Sequence, residues 1–126
     1  MPIKVLIADD SPFMRNSIAS VLLTCKEIEV VGESDCFGQT VERTALLHPQ
    51  VLVLDLHMPD EKQIDIFAVR AQLAECALIV ISVWNDAETR EYAMNMGADA
   101  FLDKATLGTD LIPKILSIGS RSHISV

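Results

Sequence analysis

Val51-Leu52-Val53-Leu54-Asp55 is a run of four apolar residues, two of them β-branched, closed by an aspartate. A short run with no polar break reads as a strand buried on both faces, as in a parallel sheet covered by helices. In open α/β sheets, ligands and chemistry collect at the carboxyl ends of the strands, so the acid closing this run is a candidate functional residue. Val5-Leu6-Ile7-Ala8 has the same character and is followed by Asp9-Asp10. Two strand ends therefore offer three carboxylates.

Outward from these two strands, strand and helix signals alternate five times. Ser11-Pro12 supplies an N-cap hydroxyl and a proline at the first helical position. Met14, Ile18, Val21 and Leu22 then share one helical face. Ile28 to Gly32 is the next strand, and Val41, Thr44, Ala45 and His48 form a weaker helical face that Pro49 ends. After Asp55, a loop with Met58-Pro59-Asp60 leads to a helix presenting Ile64, Phe67, Ala68 and Ala71. Ala77 to Ser82 is the fourth strand, and Asp86 to Met96 is helical but weakly amphipathic, with Gly97 placed to be its left-handed cap. Ala100-Phe101-Leu102 is the fifth strand; Leu111, Ile115 and Ile118 mark the last helix. Pro113 belongs in a first turn, which puts the start of that helix near Asp110. Residues 1–119 form one domain, and residues 120–126 read as a flexible tail or the start of a linker.

Alternating strands and helices imply right-handed βαβ units. The expected fold is α/β: a doubly wound, five-stranded parallel sheet with helices on both faces. A flavodoxin-like order, 2-1-3-4-5, sets strands one and three side by side and brings Asp9, Asp10 and Asp55 together.

Composition bounds the function. The chain has 126 residues, 50% of them hydrophobic and 22% charged, which suits a domain with a real core. A formal net charge of −8 argues against direct contact with nucleic acid or an anionic membrane. Cys25, Cys36 and Cys76 form no CxxC pair and read as reduced thiols of a cytoplasmic protein. No run approaches the roughly 20 apolar residues of a membrane span.

Three gathered carboxylates need a partner. Two of them ~4 Å apart repel by about 4 kcal/mol at an effective dielectric of about 20. An all-oxygen, carboxylate-rich set suits Mg²⁺ (or Mn²⁺), which keeps several waters and pairs readily with a phosphate. Ser82 closes the fourth strand and Lys104 follows the fifth, so the same edge holds a hydroxyl and an ammonium suited to phosphoryl oxygens.

Ile7-Ala8-Asp9-Asp10-Ser11-Pro12, Leu54-Asp55-Leu56-His57-Met58-Pro59, Ile81-Ser82 and Met96 to Lys104 resemble the signature blocks of receiver domains of bacterial two-component response regulators, over about residues 3 to 119. The resemblance implies that Asp55 accepts a phosphoryl group from a sensor histidine kinase or phosphotransfer protein. It implies that Asp10, Asp55 and the backbone carbonyl of His57 hold Mg²⁺, with Asp9 acting through a water. It assigns Ser82 and Lys104 to the phosphoryl oxygens and makes Phe101 the aromatic switch coupled to Ser82. The face made by the fourth helix, fifth strand and fifth helix would carry the change to an output partner or a second copy. Such a chain is a signalling phosphoacceptor rather than an enzyme.

Three positions depart from the family pattern. Gln63 stands where glycine is usual, and Ala105 follows Lys104 where many members have a cis proline. A cis bond to alanine costs about 3–4 kcal/mol, so a trans bond is expected. Trp84 is large for its place; it is either a surface residue or, with His57, a flank of the path by which water reaches the phosphoryl group. Two other functional classes fit the sequence less well. An aspartate-nucleophile phosphatase wants a second acid two residues after the nucleophile, where this chain has His57; a flavin carrier wants a phosphate loop after the first strand, where it has Asp9-Asp10. Val30-Val31-Gly32-Glu33 and Lys104-Ala105 resemble receivers fused to helix-turn-helix domains, so the output is either transcription or protein contact by a single-domain regulator.

Overall fold

The computed structural model describes residues 1–124, with side chains through residue 119. Five strands, β1 (Ile3–Ala8), β2 (Ile28–Ser34), β3 (Val51–Asp55), β4 (Ala77–Ser82) and β5 (Ala100–Asp103), alternate with helices α1 (Pro12–Leu22), α2 (Phe37–Leu47), α3 (Ile66–Gln72), α4 (Ala87–Asn95) and α5 (Leu107–Ile124). All neighbouring strands pair in parallel, in the order β2-β1-β3-β4-β5. The expected architecture and strand order are therefore those of the molecule.

The period of two in a strand sorts the core into two layers. Val5, Ile7, Val51, Val53, Ile79 and Ile81 point to one face and pack with Ile18 and Leu22 of α1 and Leu111, Ile115 and Ile118 of α5. Leu6, Leu52, Leu54, Leu78 and Val80 point to the other and pack with Phe37 of α2, Ile66 and Val69 of α3 and Ala93 of α4. One face is almost entirely β-branched and the other rich in leucine, and both lie buried.

The helices differ from expectation in phase. The N-cap of α3 is Asp65, whose carboxylate accepts from Phe67 N–H at 3.0 Å. Starting there, the buried face is Ile66, Val69 and Leu73, while Phe67 stands 53% exposed and Ala68 and Ala71 face outward. Of the expected Ile64-Phe67-Ala68-Ala71 face only Ile64, which precedes the helix, packs against the core; the other three face outward because the cap and not the apolar count sets the phase. In α2 the buried residues are Phe37, Thr40 and Thr44, and His48 lies beyond the helix as a left-handed cap at φ 50°. α5 begins at Leu107, so Pro113 is inside it rather than in its first turn. Pro113 and Thr109 are exposed, so the Thr109 carbonyl that loses its helical donor faces water, while the buried Leu111 and Ile115 hold the helix down. Gly97 takes φ +90° after α4, a conformation that favours glycine.

Residues 120–126 lie outside the described side chains, and residues 125 and 126 outside the description altogether; the backbone of α5 is helical as far as Ile124. No cis peptide bond occurs among the described residues, so Lys104-Ala105 is trans as the energetics require. No helix among them is long and apolar enough to cross a membrane.

Candidate functional site

Strand register builds the site. Ala8 pairs with Leu54, so the next residues, Asp9 and Asp55, leave adjacent strands side by side. Asp55 pairs with Ile81 and Ser82 with Asp103, which steps the edge onward to Ser82 and then Lys104. Asp9, Asp10 and Asp55 each present a carboxylate oxygen within 4.8 Å of the others. Asp9 is fully buried, Asp55 nearly so, and Asp10 exposed, giving the cluster one open side.

Local structure aims each group. Asp9 Oδ1 accepts from Ser11 N–H at 2.9 Å, and Ser11 Oγ caps α1 by accepting from Met14 N–H at 3.2 Å. Asp55 Oδ1 accepts from His57 N–H at 3.1 Å, while its Oδ2 lies 3.3 Å from Lys104 Nζ. The same ammonium is 2.7 Å from Asp9 Oδ2, an ionic contact; that oxygen has no well-aligned hydrogen bond. Lys104 is placed by a single 3-10 turn, Lys104–Thr106, which Asp103 caps by accepting from Ala105 N–H at 2.9 Å.

Burial pushes the Asp55 carboxyl above the ordinary carboxylate range; the His57 amide and the Lys104 ammonium oppose that shift, and Asp9 adds to it. Burial works against the Lys104 ammonium, yet its 2.7 Å contact with Asp9 and the charges of Asp55 and Asp9 outweigh it, so its pKa is raised. The one ammonium contacts Asp9 and Asp55, two of the three carboxylates of the cluster. An all-carboxylate oxygen set, with a buried Asp9 oxygen lacking an aligned donor, fits a hard divalent cation.

The remaining predicted residues are distributed around this centre. Ser82 is fully buried and its Oγ accepts from Trp84 N–H at 3.0 Å. Phe101 is half-buried and packs against the α2–α4 layer. The His57 side chain is exposed, with Nδ1 3.6 Å from Glu61 Oε2, and Trp84 is 58% exposed.

Sequence reasoning missed three polar residues nearby: Arg15, Asn85 and Arg90. Arg15 donates from Nη1 to the Asp9 carbonyl at 2.7 Å and from Nε to Glu33 at 3.0 Å, bracing the end of β1. The Arg90 guanidinium lies over the Phe101 ring at 4.9 Å. Arg90 Nε also donates to Asn85 Oδ1 at 2.6 Å, and Asn85 Nδ2 to Asp103 Oδ2 at 3.1 Å. A chain of contacts thus runs from Phe101 to the residue before Lys104. No periodicity links an arginine in one helix to an aromatic in the next strand, so no local signal could have found it.

Residues 5–116 match the family model of the response regulator receiver domain. The chain is 29% identical over 116 residues to the response regulator protein VraR of Staphylococcus saprophyticus, covering 91% of this chain and 56% of that protein. It is 32% identical over 125 residues to protein-glutamate methylesterase/protein-glutamine glutaminase 5 of Myxococcus xanthus, covering 90% of this chain and 36% of that one. The chain thus spans about half or less of the length of these relatives. Its backbone is similar to the signal receiver domain of the response regulator NarL of Mycobacterium tuberculosis, with TM-score 0.84 and 25% identity, covering 94% of this chain and 97% of that one.

Proposed function

The chain belongs to the response regulator receiver domain family, the phosphoacceptor module of two-component signalling, and on that premise we propose that Asp55 is its phosphoacceptor. A carboxylate oxygen of Asp55 attacks the phosphorus of a phosphohistidine on a sensor histidine kinase or phosphotransfer protein. The P–N bond breaks, its electron pair returns to the imidazole, and an acyl phosphate remains on Asp55. The observation that carries this reading is the cluster itself: three carboxylate oxygens within 4.8 Å, with Lys104 Nζ 3.3 Å from Asp55.

Asp10, Asp55 and the His57 carbonyl would hold Mg²⁺ (or Mn²⁺), with Asp9 assisting through a water. Bound there, the ion supplies charge stabilisation to the phosphoryl oxygens in transfer. Lys104 neutralises the same oxygens from its own side. Ser82 Oγ, held by Trp84 N–H at 3.0 Å, is free to donate its own proton to a phosphoryl oxygen. Aspartyl phosphate carries more negative charge than the aspartate it replaces, so Ser82 and Lys104 are drawn inward and Phe101 turns into the space vacated. The α4–β5–α5 face reports the change to an output partner or to a second copy. His57 and Trp84, both exposed, flank the approach of hydrolytic water and tune the lifetime of the acyl phosphate.

The domain, residues 1–119, works in the cytoplasm, where a phosphorylated kinase can reach it. It touches no nucleic acid itself, given its net charge of −8. The output is transcription through a DNA-binding domain, with a single-domain regulator acting by contact as the second reading. The aspartate-nucleophile phosphatase reading is the weaker one, because position 57 is His. Intact mass after incubation with acetyl phosphate and Mg²⁺ tests the proposal. Wild type gains one phosphoryl group and Asp55→Asn gains none; equal gain by both, or none by wild type, overturns it.

A further inference from the structure

Asp60 ends the loop that leaves Asp55, and its side chain reaches across to a different helix. Oδ1 accepts from Phe37 N–H at 2.9 Å and Oδ2 from Gly38 N–H at 3.0 Å. Both amides belong to the first turn of α2, where N–H groups have no partner within the helix. α2 is poorly equipped to satisfy them itself. Its N-cap is Cys36, whose Sγ meets Gln39 N–H only at 3.5 Å, and its first turn contains no acid. A carboxylate from elsewhere therefore caps it, at the positive end of the helix dipole.

The same contact holds the loop. Between Asp55 and Asp60 the chain is tied by His57 N–H to Asp55 Oδ1 at 3.1 Å and by the buried Met58 side chain, which is 2% exposed. Pro59 has no N–H to add, and the His57 ring is exposed. A backbone carbonyl has no rotamer of its own; its direction is set by what anchors the loop on either side. Upstream of His57 that anchor is the end of β3 with the buried Leu56, and downstream it is the buried Met58 followed by Asp60, which ties the loop to the first turn of α2.

We propose that Asp60 is a positioning residue for the divalent-cation site: by tying the loop to the α2 N-terminus it holds the His57 main chain in the orientation from which its carbonyl ligates the ion. This rests on the proposed reading of Asp9, Asp10, Asp55 and the His57 carbonyl as that site. Asp60 is not in the carboxylate cluster and acts only through the loop.

Mn²⁺, whose free ion gives an electron paramagnetic resonance signal, is titrated into wild type, Asp60→Ala, Asp60→Asn and the double variant Cys36→Ser/Asp60→Ala, with Mg²⁺ as competitor. Asp60→Ala binds about 10-fold more weakly, as when an outer-shell partner of a metal ligand is lost. Asp60→Asn, which keeps one acceptor oxygen, falls between. In the double variant the serine hydroxyl gives α2 a proper cap, so thermal stability returns while Mn²⁺ affinity does not. Affinity that returns together with stability, or Asp60→Ala binding like wild type, overturns the proposal. A flat titration in wild type instead overturns the cation reading of the three acids, and this inference with it.

Discussion

Lys104 Nζ stands 2.7 Å from Asp9 Oδ2, closer than its 3.3 Å to Asp55 Oδ2, although Asp9 follows the first strand and Lys104 the last. The ammonium is thus shared between the candidate nucleophile and a fully buried acid beside it. It touches both acids at once, so a change at either one is felt by the same side chain.

Removing that ammonium strands Asp9. Lys104→Met should destabilise the fold by about 3–5 kcal/mol in the absence of divalent cation, the usual cost of leaving one member of a buried pair uncompensated. Mg²⁺ should raise the melting temperature of the variant more than that of wild type, since it replaces the missing positive charge. Melts with and without Mg²⁺ check both statements, and equal stability of the two chains without the ion would contradict the first.

Asp55 gives stability a pH dependence of known sign. Its folded pKa is raised, mainly by burial, above the unfolded value of 3.8. The folded state therefore binds the proton more tightly. The contribution of this group is full below that value and is lost as pH rises through the folded pKa. Asp55→Asn, neutral throughout, should be more stable than wild type at neutral pH without Mg²⁺, with the gap closing on acidification. Denaturant unfolding across that range measures it; a gap of opposite sign would defeat the assignment. Lys104 adds stability that persists below its unfolded value of 10.5 and disappears as pH rises through its higher folded pKa.

Arg90 covers the Phe101 ring at 4.9 Å and reaches Asp103 through Asn85. Cation–π contacts at exposed sites contribute about 0.5–1 kcal/mol, so Arg90→Ala should change global stability by no more than about 1 kcal/mol. Its larger effect should be local. Amide exchange across residues 85 to 103 should quicken, and the response of Phe101 to a phosphomimetic should come at lower concentration. Exchange indistinguishable from wild type would show that Arg90 does not restrain the ring.

Pro113 interrupts α5 on its exposed face. Pro113→Ala restores a helical N–H opposite the Thr109 carbonyl and should stabilise the domain by about 1–3 kcal/mol. Chemical denaturation is the measurement; a loss of stability would mean that the helix relies on the ring.

The site was legible to the extent that its residues end strands. Asp9, Asp10, Asp55, Ser82 and Lys104 each follow or close an apolar run, so a parallel order alone brings them to one edge. What could not be read were the braces. Asp60 on α2, Arg15 behind Asp9 and Arg90 on Phe101 join elements far apart in sequence, and nothing in their spacing announces a partner. Helix phase failed for a related reason. In α3 the cap at Asp65 selects Ile66 and Val69 for burial over the equally apolar Phe67.

By itself the sequence determined the alternation of strands and helices, the parallel sheet and the identity of the acids at its edge, because period and apolar content are local properties of the chain. Only the tertiary structure decided that Lys104 sits between Asp9 and Asp55, that Phe67 faces solvent, and that an aspartate of one loop caps a helix of another. Those outcomes depend on distances between segments that meet only after the sheet has formed, and Coulomb and hydrogen-bond energies fall off too steeply with distance to be assigned before then.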